Sequence, residues 1–68
     1  MDKEIGRIKK NETTEIVIRV DDFGGHTGVT IREFVTGQNY TGFTKQGTRV
    51  PKDKWEEFRG IIEKVGFE

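Results

Sequence analysis

Arginines and aromatic residues alternate with apolar residues in the segment DFGGHTGVTIREF, residues 22–34, and in the run just before it. Strand side chains point to opposite faces with a period of two, so one row of these runs is apolar and the other is not. The second row consists of Arg19, Phe23, Thr30, Arg32 and Phe34. Because arginines neutralise phosphates and aromatic rings stack on unpaired bases, this row predicts a surface for single-stranded nucleic acid. The alternative is a solvated sheet face whose aromatic residues cover a subunit contact.

A second group of aromatic and basic side chains follows at Tyr40, Phe43 and Lys45. Tyr40 and Phe43 are three positions apart, so on an undistorted strand at most one of them belongs to the apolar core. The other is then left near Lys45, at the edge of a basic sheet. An ordinary hairpin with one half-exposed aromatic explains the same spacing. Because aromatic and basic residues recur on neighbouring strands, with Arg49 on the last one, we favour nucleic acid over other partners.

The turn between the two long strand-like runs has no catalytic or metal-binding pattern. Gly24, Gly25 and Gly28 form G-G-x-x-G, which is not a dinucleotide fingerprint, and no parallel βαβ unit surrounds them. They predict a tight turn that a nucleic-acid backbone can approach closely. His26 is the single histidine and the chain has no cysteine, so a zinc site is not expected. We expect a protein that is not an enzyme and that needs no cofactor, metal or small-molecule substrate.

The size and charge of the chain bear on its assembly. It has 68 residues, of which 31% are hydrophobic, so it cannot bury a large core, and we expect a homodimer. The net charge is zero, yet basic residues are in excess over residues 23–52 and acidic residues over 53–68. This fits a basic sheet with an acidic helix, and it fits charges spread for solubility equally well. Without an apolar run of membrane-spanning length or a signal-peptide core, we expect a cytoplasmic, nucleoid-associated protein with no membrane contact.

The strand, turn and helix patterns of the sequence predict an α+β fold in a single domain over residues 1–68. In it, a four-stranded antiparallel sheet is followed by one C-terminal helix. Residues 1–14 are expected to be an N-terminal extension, with some strand character at 5–10. Strands are predicted over 15–23, 27–36, 40–44 and 48–50. A helix is predicted over 52–65, after Pro51 and before a Gly66 cap. Its apolar stripe, which we assign to the core and to a dimer interface, consists of Trp55, Phe58, Ile61, Ile62 and Val65.

The order of these elements and residues resembles the single-stranded-DNA-binding domain of the positive cofactor four family of transcriptional coactivators. The resemblance covers residues 15–65. It rests on D-F-x-G at 22–25, on I-R-E plus an aromatic at 31–34, on the Lys-Gln-Gly turn at 45–47, and on Trp55 at the start of the helix. It implies a curved four-stranded sheet, dimerisation partly through the helices, and single strands that run across the sheet.

The family resemblance also implies roles for individual positions. Phe23 matches a base-stacking aromatic and Arg32 a phosphate-contacting arginine. Gly25 matches the turn glycine, and Lys45 falls in the basic turn before the last strand. The family commonly has a tryptophan where this chain has Val35, and stacking then shifts to the other aromatic residues of the sheet. Eukaryotic members have a lysine-rich turn where this chain has G-G-H, so a compact bacterial or phage type fits better.

Together these patterns predict a homodimer that binds single-stranded DNA with little sequence preference, in transcription regulation or in replication, recombination or repair. The alternatives are an RNA-binding module with the same stacking face, and a protein-interaction module that docks on the transcription machinery. The predicted nucleic-acid-binding residues are Arg19, Phe23, Gly25, His26, Arg32, Phe34, Tyr40, Phe43, Lys45 and Arg49.

Overall fold

Four strands pair in sequence order in the computed structural model, which describes residues 2–67. The elements are β1 (Asp2–Lys9), β2 (Thr14–Asp21), a 3₁₀ turn (Phe23–Gly25), β3 (Gly28–Thr36), β4 (Thr41–Pro51), a second 3₁₀ turn (Lys52–Lys54) and α1 (Trp55–Ile62). All three strand pairs are antiparallel. The predicted four-stranded antiparallel sheet with one C-terminal helix is therefore confirmed.

The sheet begins much earlier in the chain than predicted. β1 pairs with β2 from Asp2 opposite Asp21 to Lys9 opposite Glu15, with a register shift between Glu4 and Gly6. The prediction of a separate N-terminal extension before residue 15 is therefore wrong. The strand was hard to recognise because its sequence, DKEIGRIK, is mostly charged, as suits an edge strand with exposed side chains.

The predicted third and fourth strands are one strand, β4, interrupted by a bulge. Arg32 of β3 lies opposite Gly47 and Phe34 lies opposite Phe43, so Glu33 alone faces the three residues 44–46 of β4. The extra residues bend the strand locally without ending it. Gly47 has φ of +148°, and a Cβ atom there would lie 2.3 Å from the Ile31 carbonyl oxygen. The glycine that suggested a turn is needed for the bulge instead.

The sheet has two faces of different character. The apolar face, identified from the strand register, carries Ile8, Ile16, Ile18, Val20, Val29, Ile31, Val35 and Val50. The opposite face, here called the charged face, carries Arg7, Glu15, Arg19, Asp21, Thr30, Arg32, Phe34 and Arg49. The predicted row of Arg19, Thr30, Arg32 and Phe34 is therefore confirmed as one face, whereas Phe23 lies beyond the end of β2.

Little of the chain is fully buried. Among residues 2–67 the buried hydrophobic side chains are Val17, 0% exposed, and Val50, 7% exposed. Val17 lies on the charged face between Arg7 and Arg32 of the neighbouring strands, where long arginine stems can cover it. The side chains of the apolar face are for the most part only half-buried, because α1 contacts β4 and the second 3₁₀ turn and makes little contact with the other strands.

The helix is shorter than predicted. It ends at Ile62, and the amides of Lys64 and Val65 bond to carbonyl oxygens three residues earlier. Gly66 does not have positive φ, so its predicted role as a left-handed cap is wrong. Trp55 stacks on Phe58 with ring centroids 5.6 Å apart, whereas Ile61, Ile62 and Val65 are each more than half exposed. The end of the predicted stripe is therefore not part of the core of this chain. Between residues 2 and 67, no helix has both the length and the apolar content needed to cross a bilayer.

Replacing Gly47 with alanine tests the bulge. Gly47→Ala is expected to lower the free energy of unfolding by about 1–3 kcal/mol from backbone strain alone, because only glycine readily adopts this positive φ. Gly6→Ala in β1 is the matched control, since a Cβ atom there meets nothing within 4 Å. Chemical denaturation of the two variants and the wild type measures the difference. Equal stability of all three proteins would contradict the assigned bulge.

Candidate nucleic-acid interface

A groove of about 600 Å³ lies on the charged face, close to the turn that carries Phe23. Six of the predicted nucleic-acid-binding residues line it: Arg19, Phe23, Arg32, Phe43, Lys45 and Arg49. Three carboxylates also line it: Asp2, Asp21 and Asp22. The groove therefore brings aromatic rings and cations together, as the sequence predicts, but it also contains acidic groups that the sequence analysis did not include.

The turn between β2 and β3 exposes Phe23. Gly24 and Gly25 have φ of +63° and +83°, which confirms that these glycines supply the left-handed positions of the turn. The amide of Gly25 donates to the Asp22 carbonyl and that of His26 to the Phe23 carbonyl, each at 3.1 Å. The tight turn leaves the Phe23 side chain 81% exposed at the groove. A ring held in this way offers a free face on which a base can stack.

Two predicted aromatic residues support the groove without lining it. Phe34 has the Arg7 guanidinium 5.6 Å from its ring centroid on one side, and the Phe43 ring edge-on at 5.2 Å on another. The Tyr40 hydroxyl donates to the backbone carbonyl of Phe43. Phe34 and Tyr40 therefore brace Phe43, the aromatic residue of this group that lines the groove. Gly25 and His26 belong to the turn and are also outside the groove lining.

Carboxylates neutralise most of the arginines on the charged face. Arg7 forms ion pairs at 2.8 Å with both Glu4 and Glu15, and its guanidinium holds the pKa of Glu4 below the usual range. Arg19 lies 2.6 Å from Asp2 and 3.7 Å from Glu4. These pairs are partly exposed and contribute little stability individually, but they reduce the positive charge that the face presents to a phosphate.

Arg49 and Asp21 form a second set of contacts at the end of the groove nearest the turn. Asp21 accepts bonds from the Thr30 hydroxyl at 2.6 Å and from Nε and Nη2 of Arg49 at 2.9 and 2.7 Å. The Thr30 hydroxyl and the Arg49 guanidinium together hold the pKa of Asp21 below its ordinary value. The carboxylate therefore stays ionised at neutral pH and keeps its arginine partner.

Arg32 differs from the other arginines of the described part of the chain, because its guanidinium has no carboxylate partner there. It donates one hydrogen bond, at 2.5 Å, to the Thr44 carbonyl exposed by the bulge. The bulge also carries Lys45, which has no ion pair within residues 2–67. Within residues 2–67, the cations of the groove that have no carboxylate partner are thus Arg32, on β3 beside the bulge, and Lys45, in the bulge itself.

The acidic residues of the groove are the functional feature that the sequence analysis missed. Counting charges along the chain places the basic excess at residues 23–52, whereas the groove carboxylates come from β1, from the end of β2 and from Asp22 just after it. The signal was present in the alternation of β2, which places Glu15 and Asp21 in the same row as Arg19. Within residues 2–67, histidine and acidic side chains form no cluster suited to a metal ion.

Comparison with known proteins identifies the chain. The family model described as Transcriptional Coactivator p15 (PC4) matches residues 10–61, which is more than half of the chain. No curated protein and no solved structure gives a match. The matched range contains β2, β3 and β4, the turn with Phe23, the bulge with Lys45, and α1 as far as Ile61. The resemblance found in the sequence is confirmed: this chain belongs to the transcriptional coactivator p15 (PC4) family.

Proposed function

We propose that this protein binds single-stranded DNA with little sequence preference in the groove of its charged face, and that it acts in transcription regulation or another DNA transaction. The observation on which this proposal chiefly depends is that one groove holds both Phe23, which is four-fifths exposed, and Arg32, which has no carboxylate partner within residues 2–67. Membership of a transcriptional coactivator family supports the link to transcription.

The chemistry of the groove favours unpaired bases over a duplex. An exposed ring binds the face of any base by stacking, and this interaction needs a base that is not already stacked inside a helix. Arg32 and Lys45 supply positive charge for the phosphates that join such bases. None of these groups requires a particular base edge, so little sequence preference is expected.

A preference for single strands is the first test. At moderate salt the wild-type protein is expected to bind oligo-dT more tightly than a duplex of equal length, as measured by fluorescence anisotropy at two salt concentrations. Equal affinity for the two would indicate a generic basic surface and contradict the stacking mechanism. Oligo-U of the same length, titrated in parallel, compares RNA with DNA.

Single substitutions separate stacking from charge. Phe23→Ala is expected to weaken oligo-dT binding by about 1–3 kcal/mol, with little dependence on salt, if one base stacks on the ring. Arg32→Gln should instead reduce the slope of log affinity against log salt by roughly 0.7, the value for one phosphate on a single strand. A salt series on each variant provides both quantities.

Matched controls for these variants lie outside the groove. Phe67→Ala removes a fully exposed ring after α1, and Arg59→Gln removes an arginine that pairs with Glu56 and Glu63 on the helix. Both should bind oligo-dT like the wild type. A folded Arg32→Gln variant with wild-type affinity and slope would show that the site is wrongly assigned.

We also propose that the chain forms a homodimer. The half-buried apolar face and the exposed Ile61, Ile62 and Val65 support this. Residues 2–67 contain two buried hydrophobic side chains, so association would bury apolar surface that the single chain leaves exposed. The helix stripe, predicted from the sequence as a dimer interface, is available for that contact.

Ile62→Glu is expected to dissociate or unfold the dimer, since it places a charge in an apolar contact. Lys64→Gln, which makes the same change in net charge at an exposed position nearby, should leave it intact. Sedimentation equilibrium and circular dichroism distinguish the two effects. A wild-type protein that sediments as a folded monomer would exclude the dimer.

A further inference from the structure

We propose that Arg49 is a positioning residue: together with Asp21 it fixes the turn that holds Phe23 over the groove, and it does not bind phosphate. This inference rests on the proposed function and deepens it. The sequence analysis grouped Arg49 with the nucleic-acid-binding residues, and the geometry assigns it a different task.

The side chain of Arg49 crosses the neighbouring strand to reach the turn. Arg49 on β4 lies opposite Thr30 on β3, while Asp21 lies on β2 opposite Gly28. The guanidinium passes directly over Gly28, where a Cβ atom would lie 2.8 Å from its Cζ atom. The absence of a side chain at position 28 therefore makes the path of Arg49 possible.

The guanidinium bonds to both ends of the turn. Its Nε and Nη2 donate to Asp21 Oδ1, and Nη2 also lies 3.3 Å from the Asp21 carbonyl. The same Nη2 donates to the carbonyl of His26. Asp21 precedes the turn and His26 follows it, so one planar group ties together the two points between which Phe23 lies.

These contacts leave Arg49 poorly suited to bind a phosphate. Its charge is offset by a carboxylate whose other oxygen is already bonded to Thr30, and a phosphate would have to displace that carboxylate. Breaking this cross-link would free the two ends of the turn from the β4 side chain that holds them. Within residues 2–67 Arg32 has no carboxylate partner, so a phosphate could contact it without displacing one.

Fixing the turn has a consequence for affinity. Two successive glycines at positive φ form the turn after Phe23, and glycine restricts the backbone least of all residues. Without the cross-link, the turn would have to be ordered each time a base stacked on the ring. Ordering on binding lowers affinity, so a turn held in place beforehand raises it.

The test removes the cross-link without changing the net charge of the groove. The double variant Asp21→Asn/Arg49→Gln is compared with the wild type for oligo-dT binding over a salt series, alone and combined with Phe23→Ala. We expect about three- to tenfold weaker binding, which is the effect of ordering a short segment on binding. The salt slope should be unchanged, and no further loss should occur when Phe23 is already alanine.

A measurement without DNA accompanies the titrations. Amide order parameters of Gly24 and Gly25 from NMR relaxation should fall in the double variant, because the turn is released. Gly28→Ala is a second variant that displaces the guanidinium and keeps both charges, and it should act in the same direction. If the double variant does not fold, Gly28→Ala alone tests whether Arg49 fixes the turn.

The inference is overturned if the salt slope falls by about 0.7 and the loss persists in the Phe23→Ala background, because Arg49 would then contact a phosphate. Unchanged affinity with unchanged order parameters overturns it as well. If the wild type fails to bind oligo-dT, the proposed function is wrong, and the order parameters alone then decide whether Arg49 fixes the turn.

Discussion

This structure is governed by the alternation of side chains between the two faces of a sheet that is only one layer thick. Each strand residue points to one of two faces, and neither face is covered by a second sheet or by a helix packed across it. Apolar residues collect on one face, where most stay half-buried, and charged residues on the other. With so little apolar burial available, the charged face is organised chiefly by ion pairs between arginines and carboxylates. The two faces are thus suited to different partners, the first to an apolar surface and the second to an anionic ligand.

Neutralisation by carboxylates, more than the number of basic residues, determines where the charged face keeps positive charge. Arg7, Arg19 and Arg49 all lie on this face, and each is held by acidic groups of β1 or β2. In the described part of the groove, positive charge without a carboxylate partner is found at Arg32 and Lys45, next to the bulge. The groove is therefore asymmetric: its arginines are paired near β1 and near the turn that carries Phe23, and its unpaired positive charge lies at the bulge. A chain with no net charge can bind a polyanion because its positive charge is concentrated in this way.

The sequence allowed the central hairpin to be predicted, because β2 and β3 alternate strictly and Gly24 and Gly25 mark the turn between them. It did not reveal β1, since a charged edge strand lacks the apolar alternation by which a strand is recognised. The sequence predicts a turn at the bulge because both use a glycine at positive φ, and the strand register that distinguishes them depends on the partner strand. The role of Arg49 was hidden for the same reason. Its contacts join positions 28 residues apart, and linear charge counting cannot show that Asp21 is its partner.

Irregularities in both outer strands have a further consequence for how this sheet can associate. β1 has a register shift between Glu4 and Gly6, and β4 has the three-residue bulge around Lys45. A regular edge would offer an unbroken row of amide and carbonyl groups to a strand of another molecule. Repeated pairing of this kind produces fibres, and an uncovered apolar face would favour it. Bulges and lysines at the two edges interrupt that row. The same distortion that presents Lys45 to the groove thus makes the β4 edge a poor template for open-ended strand pairing.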